Sequence, residues 1–351
     1  MRFIGNKERL VNWIFSEIKA NNIEGSLFFD YFAGTANVGK FFKQNNFQIV
    51  SSDLLYFSYV LQKAYIENNT IPQFEKLLSS IEITSRKLVA DNFDLVLEYL
   101  NDLQGIEGFI YKNYTPNVTS NRKYFIPENG KKIDAVRTQI EQWKNNNLIN
   151  ENEYFVLLAC LIESVPFFAN ILGVFAAYKK DWDRRALKPF ELKRINLLQS
   201  NTEHFVYNTD SRELLSKYNY DIIYLDPPYN QRQYAPNYHL LETIAKYDNP
   251  EIKGVSGMRN YDNQKSVFCN RDKALNELEY IVLSGNYKYL PLSYNNEGLM
   301  PQNEIIKILE KKGKVILKEY DYLRFKSNSN GKSANKKYIK EQLYILKKNN
   351  G

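Results

Sequence analysis

Histidine and cysteine are scarce in this chain of 351 residues, with two of each. Cys160 and Cys269 cannot build a disulfide framework or a cysteine-rich metal site. His204 and His239 are too few for a histidine-rich hydrolase centre, and a Ser-His-Asp triad would have to recruit one of them. No metal is expected. The opening residues, Met1 to Arg9, lack the apolar run of a signal peptide, so a reducing cytoplasm is the expectation. Long apolar runs are missing too. The nearest, Tyr154 to Tyr178, is interrupted by Glu163, Pro166, Asn170 and Gly173. A spanning helix wants about 20 apolar residues and tolerates a mid-span carboxylate poorly. The stretch reads instead as a buried helix broken near Pro166.

What remains is an ordinary globular composition, 44% apolar and 25% charged. The length suggests about two domains. Lys and Arg exceed Asp and Glu by 47 to 40, and the net charge of +7 mildly favours a polyanionic partner.

The patterning divides the chain. Residues 1–65 alternate between helix and strand. Leu10 to Ile18 has helical spacing, Ser26 to Asp30 reads as a buried strand, Val38 to Phe42 as a helix, and Phe47 to Asp53 as a strand. Residues 66–200 are mostly helical, with an aromatic, polar loop over Tyr111–Asn117 that continues to Phe125. They read as an inserted domain. Strands return in 201–351, at His204–Asp210, Asp221–Asp226, Tyr287–Tyr294, Lys314–Tyr320 and Glu341–Lys347. A lysine-rich loop falls within Lys326–Lys340. The fold class is α/β, a doubly wound parallel sheet carrying a helical insertion.

Two motifs carry chemistry. Asp30-Tyr31-Phe32-Ala33-Gly34-Thr35 ends a strand and opens a helix. Gly34 to Lys40 matches most of a P-loop, but Phe41 stands where that motif needs Ser or Thr for magnesium. A nucleoside-cofactor turn fits better. Gly34 admits close backbone approach, and Asp53, at the end of the next strand, suits both hydroxyls of a ribose. Without a need to grip phosphates, S-adenosylmethionine fits better than ATP or NAD.

The second motif, Asp226-Pro227-Pro228-Tyr229, follows a strand directly. Two prolines fix the turn and remove two N–H donors. A carboxylate and a fixed carbonyl at that edge can accept both hydrogens of an exocyclic amino group. This draws electron density onto its nitrogen, while Tyr229 offers a face for stacking.

With Arg2-Phe3-Ile4-Gly5-Asn6-Lys7 at the start, these motifs and their order resemble the Dam-like DNA adenine-N6 methyltransferases of restriction-modification type. Asn230 to Thr243 and Leu292 to Gly298 extend the resemblance over nearly the whole chain. It implies a Rossmann-like methyltransferase sheet, 1–65 with 201–351, and a target-recognition insertion at 66–200. Phe3, Lys7, Asp30, Gly34, Asp53, Asp210 and Asp226 would then bind S-adenosylmethionine. Asp226, Pro227, Pro228 and Tyr229 would hold a flipped-out adenine. Implied partners are double-stranded DNA and, functionally, a restriction endonuclease, in a bacterial or viral setting, with a monomer as default.

DNA contacts are expected from Lys179, Lys180, Arg184, Arg185 and Lys188, packed around Trp182, and from Arg122 and Lys123. His239 lies in a segment that could close over the base, and a structural or substrate-positioning role is favoured for it. Rival readings are an RNA or cytosine-N4 methyltransferase and a DNA-binding regulator without catalysis.

Overall fold

The computed structural model describes residues 4–81, 91–323 and 338–349. Phe3 and the part of the lysine-rich loop before residue 338 lie outside the described residues.

The strands are β1 (Leu27–Asp30), β2 (Gln48–Ser52), β3 (Phe205–Tyr207), β4 (Tyr220–Tyr224), a small hairpin of β5 (Ile252–Lys253) and β6 (Met258–Arg259), β7 (Tyr287–Asn295), β8 (Gly313–Leu323) and β9 (Tyr338–Lys348). Seven form one sheet in the order β3-β2-β1-β4-β7-β9-β8. The first five run parallel, and β9 lies antiparallel between β7 and β8. Parallel strands covered on both faces need apolar residues on both sides of the pleat. Accordingly, Phe28, Ile222 and Tyr224 face one core, while Phe29, Ile223 and Leu225 face the other. Burying each such side chain contributes about 1.5–3 kcal/mol.

Helices cover both faces. On the first lie α1 (Val11–Ala20), α2 (Asn37–Gln44) and α3 (Tyr56–Gln62). Joining β2 to β3 in parallel requires a crossover, and here it is greatly enlarged. It holds α3 with α4 (Glu75–Leu78), α5 (Asn92–Asp102), α6 (Phe109–Tyr114), α7 (Pro127–Asn145) and α8 (Glu151–Ser164). After β4 come α9 (Ala235–Lys246) and, on the second face, α10 (Arg271–Ser284) and α11 (Gln302–Glu310). Helix α8 stops in a 3₁₀ turn at Val165–Phe167, where Pro166 removes an N–H. Among the described residues no helix is long and apolar enough to cross a membrane.

Two expectations change. Tyr111 to Tyr114 is the end of helix α6 rather than loop. Six residues are too few to hold a helix alone, but the carboxylate of Asp134, on α7, accepts from the N–H groups of Ile110 and Tyr111. The strand expected over His204–Asp210 is only three residues long. Side chains complete its ends: His204 Nδ1 accepts from Ile49 N–H at 3.0 Å, and Ser52 donates to the Thr209 carbonyl.

Both histidines are buried. His204 Nδ1 accepts a hydrogen bond, and His239 donates through Nε2 to the Phe175 carbonyl at 2.9 Å while its Nδ1 is buried without a partner. Burial pulls both imidazoles down to about 4. Their unfolded value is about 6.5, so acid favours the unfolded chain. The stability they allow is complete above that value and is lost as pH falls toward 4. Each should remove about 2 kcal/mol between pH 7 and pH 5. His239→Phe should therefore lose about 2 kcal/mol less than the parent over that interval in urea titrations. Equal losses would show that His239 is not held neutral.

Candidate active site

The chain leaves β1 toward β2 and β3, then returns to add β4 on the other side of β1. The loops after β1 and β4 therefore diverge, and ligands of such sheets bind in the crevice between them. Residues 31–35 with Asp226 and Pro228 line one pocket there, closed further by Asp53, Asp210, Tyr234 and the 264–268 segment, while Tyr229, expected to face the ligand, is not among the lining residues.

The first wall is a preorganised turn. Gly34 has φ of +50° and donates its N–H to Asp53 Oδ2 at 2.9 Å. Leu55 N–H donates to the other Asp53 oxygen at 2.8 Å. Burial raises the Asp53 carboxyl to about 6 against those two donors. Asp30 sits behind the wall rather than on it. It is fully enclosed and accepts from Gly39 N–H at 3.1 Å, which ties β1 to α2. Burial, and then the charge of Asp226, raise it to about 8. Gly39 is explained by packing: a Cβ there would meet Ile66 Cδ1 at 3.1 Å. Lys40 lies over the Tyr65 ring at 4.1 Å. The glycine and lysine of the apparent P-loop are thus used inside the fold.

The second wall is the Asp-Pro-Pro-Tyr turn. Tyr229 donates its hydroxyl to Asp226 Oδ1 at 2.8 Å. The ammonium of Lys7 pairs with the same oxygen at 3.1 Å and donates to the Tyr229 hydroxyl. Glu341, from β9, closes the group at 3.7 Å from Lys7. Burial raises the Asp226 carboxyl, and Lys7 pulls it back. Pro228 lines the pocket, and Pro227 is buried beside it. The Tyr229 ring stands edge-on to Tyr294 at 4.9 Å. Gly298 lets its own loop fold onto Tyr294, since a Cβ there would lie 2.1 Å from that ring. The 292–298 segment therefore buttresses Tyr229.

Helix α9 locks the opening segment in place. Tyr238 accepts from Ile4 N–H at 2.7 Å. Gly5 has φ of +76°, and a Cβ there would lie 2.8 Å from the Tyr234 hydroxyl. Gly5 thus permits the contact that aims Lys7. The loop after Tyr229 is tied down by two Gln233–Ser266 hydrogen bonds of 2.9 and 2.8 Å.

The remaining residues fall at two places. Asp210 lines the far end of the pocket, one oxygen accepting from Arg212 N–H. His239 is not among the lining residues and packs with Tyr124 and Tyr114. In the basic segment, Asp183 pairs with Lys179 and Arg185, while Lys180, Arg184 and Lys188 are exposed. Lys123 donates to the Lys180 carbonyl at 3.2 Å. Arg122 spends its guanidinium on the carbonyls of Asn113, Gly254 and Val255, joining the insertion to the β5–β6 hairpin. Sequence reasoning missed Glu341, whose neighbours in the chain carry no motif.

Comparison with known proteins identifies the family. The family model for D12 class N6 adenine-specific DNA methyltransferases matches residues 3–308. The chain is 40% identical over 355 residues to the type II methyltransferase M.NlaIII of Neisseria lactamica, covering 99% of both chains. It is 42% identical over 315 residues to M.FokI of Planomicrobium okeanokoites, and 37% identical over 353 residues to the modification methylase StsI of Streptococcus sanguinis. It spans only 47% and 52% of those two longer relatives. The chain belongs to the D12 class of N6 adenine-specific DNA methyltransferases.

Gly5→Ala should cost about 1–3 kcal/mol, from the left-handed backbone and the contact with Tyr234. Adding Tyr234→Phe should recover part of that in urea titrations, because it removes the contacted oxygen. No recovery would mean that Gly5 is needed for its backbone conformation alone.

Proposed function

We propose that this chain transfers a methyl group from S-adenosylmethionine to N6 of adenine in double-stranded DNA, as the modification enzyme of a type II restriction-modification system. One observation carries the reading. The buried carboxylate of the Asp-Pro-Pro-Tyr turn faces the same crevice as the Gly34–Asp53 turn.

The pocket suits a cationic cofactor. Asp53, Asp210, Asp226 and Glu277 line it and Asp30 stands behind, while the lining cations Lys7, Arg212 and Lys265 are paired with Asp226, Glu277 and Asp262. Burial, joined at Asp30 by the charge of Asp226, holds the Asp30 and Asp53 carboxyls high, and a bound cation would favour their ionised forms. Asp53 would hold the ribose, Asp210 the adenine amino group, and the turn at Gly34 the methionine end. S-adenosylmethionine, when bound, supplies an electrophilic methyl group.

Asp226 and the turn's carbonyl would accept both hydrogens of the target amino group. That localises the nitrogen lone pair for attack on the methyl carbon. The N–C bond forms as the S–C bond breaks, and a proton then leaves the nitrogen for solvent. No covalent enzyme intermediate is required, and both cysteines are buried with thiols raised by burial, Cys160 to about 12 and Cys269 to about 11. A base inside a duplex cannot reach this crevice, so the adenine must be flipped out.

We assign 1–65 with 201–351 to catalysis and 66–200 to target recognition. Lys180, Arg184 and Lys188 would contact phosphates. The loop that leads into their segment is tied to the start of α9, with Phe175 N–H donating to the Asn237 carbonyl at 2.7 Å. Lys179, Arg185, Lys123 and Arg122 would support that surface, since their charges are engaged within the protein.

Labelled S-adenosylmethionine with unmethylated DNA should yield labelled N6-methyldeoxyadenosine on digestion to nucleosides. Asp226→Ala should reduce this at least about 10³-fold with cofactor affinity retained. Label in cytosine N4 or in RNA would replace the substrate and keep the pocket.

Cofactor affinity should rise with pH from 6 toward 8 and then level. A bound sulfonium favours ionised Asp30 and Asp53, whose free-state values are about 8 and about 6. Calorimetry at pH 7 in buffers of different ionisation heat should show proton release. Binding without release would exclude Asp30 from the linkage.

Replacing Lys180, Arg184 and Lys188 together with Ala should weaken DNA binding and lower its salt slope by about 0.9 for each phosphate no longer neutralised. An unchanged slope would move the DNA surface elsewhere.

A further inference from the structure

The Lys7 ammonium lies between two carboxylates, Asp226 at 3.1 Å and Glu341 at 3.7 Å. All three groups are largely shielded, with side-chain exposures of 4%, 16% and 8% for Lys7, Asp226 and Glu341. In this arrangement Asp226 Oδ1 already accepts from Tyr229 and Lys7. Resting on the reaction proposed above, the incoming amino group needs that same carboxylate. Its nitrogen also gains positive charge as the methyl group arrives. Both donors sit on Oδ1, so the amino group can take Oδ2, but an ammonium left on Asp226 would weaken that acceptor and oppose the growing charge, and in a water-poor pocket both effects are strong. A lysine with nowhere else to go would inhibit its own enzyme.

Glu341 supplies the other place. It reaches the site from β9, through the Asn295–Glu341 pairing with β7, independently of either motif. We propose that Glu341 is a positioning residue that takes the Lys7 ammonium from Asp226 when the target amino group enters. In the empty pocket Lys7 neutralises Asp226. With the base present it turns to Glu341, and Asp226 is released to the substrate. Each carboxylate keeps a donor in both states, and the shift needed is small for the end of a lysine side chain.

The test separates charge from shape. Glu341→Gln keeps the size and removes the charge, leaving Lys7 on Asp226. Glu341→Asp shortens the side chain and keeps the charge. Single-turnover methylation at saturating DNA should fall about 10- to 100-fold in Glu341→Gln, with the Kd for S-adenosylmethionine within about twofold of the parent. Glu341→Asp should retain most of the rate. A packing role would give the reverse order, with the Gln variant the better enzyme. That order, or full activity in Glu341→Gln beside an active parent, would overturn the role of Glu341. A parent that methylates no adenine would overturn the reaction itself, and this inference with it.

Discussion

A carboxylate withdrawn from water at the end of a parallel strand is the constraint to which much of this site answers. Burial favours the neutral form of Asp226, against the ionised form that its proposed role requires. The protein counters this with Lys7 and the Tyr229 hydroxyl, both drawn onto one oxygen. Lys7 comes from the first few residues of the chain, Asp226 from its middle and Glu341 from its last strand. The sheet must therefore be complete before the site exists. The features that support Lys7 follow from this need: the glycine at position 5 against Tyr234, Tyr238 of α9, which pins the opening segment, and Glu341.

The same logic runs through the cofactor side. Asp53 is neither free nor paired with a cation in the turn; backbone N–H groups from Gly34 and Leu55 hold its two oxygens. These donors fix its direction without cancelling its charge, which remains available to a ligand. Asp30, raised to about 8 by burial, braces α2 through Gly39 from behind the wall and is the carboxyl that a bound cation would ionise. With Lys7 paired to Asp226 and Arg212 to Glu277, Asp53 and Asp210 are left as pocket carboxylates held by backbone N–H groups, a suitable setting for the proposed sulfonium.

Much of the sheet and both motifs were legible in the sequence, because short apolar runs and rigid turns depend on neighbouring residues. The Asp-Pro-Pro-Tyr turn is the clearest case: its stiffness comes from two adjacent prolines. What stayed hidden depends on contacts between distant segments. Asp134 makes a helix of a segment that reads as loop, and His204 substitutes for a backbone acceptor beside β2. Glu341 is one of many glutamates until β9 is placed between β7 and β8. Arg122 illustrates the opposite limit, since its charge is visible in the sequence but its engagement with three carbonyls is not.

Helix α9 connects these parts. Residues 230–234 separate it from the Asp-Pro-Pro-Tyr turn, and its first residues hold the opening segment and the loop that leads into the basic cluster. Further along, Glu242 accepts from the N–H groups of Tyr56 and Phe57 at the start of α3, just after Asp53. Gln264 donates to both Glu242 and the Leu54 carbonyl, so the segment lining the pocket joins the same network. A displacement of α9 would disturb the Asp-Pro-Pro-Tyr turn, Asp53 and the loop that leads into the basic segment together. Buried groups so linked shift as a unit, because each broken hydrogen bond would leave a charge or a backbone N–H unsatisfied. The helix therefore couples the cofactor turn to the surface assigned to DNA through contacts already present in the fold.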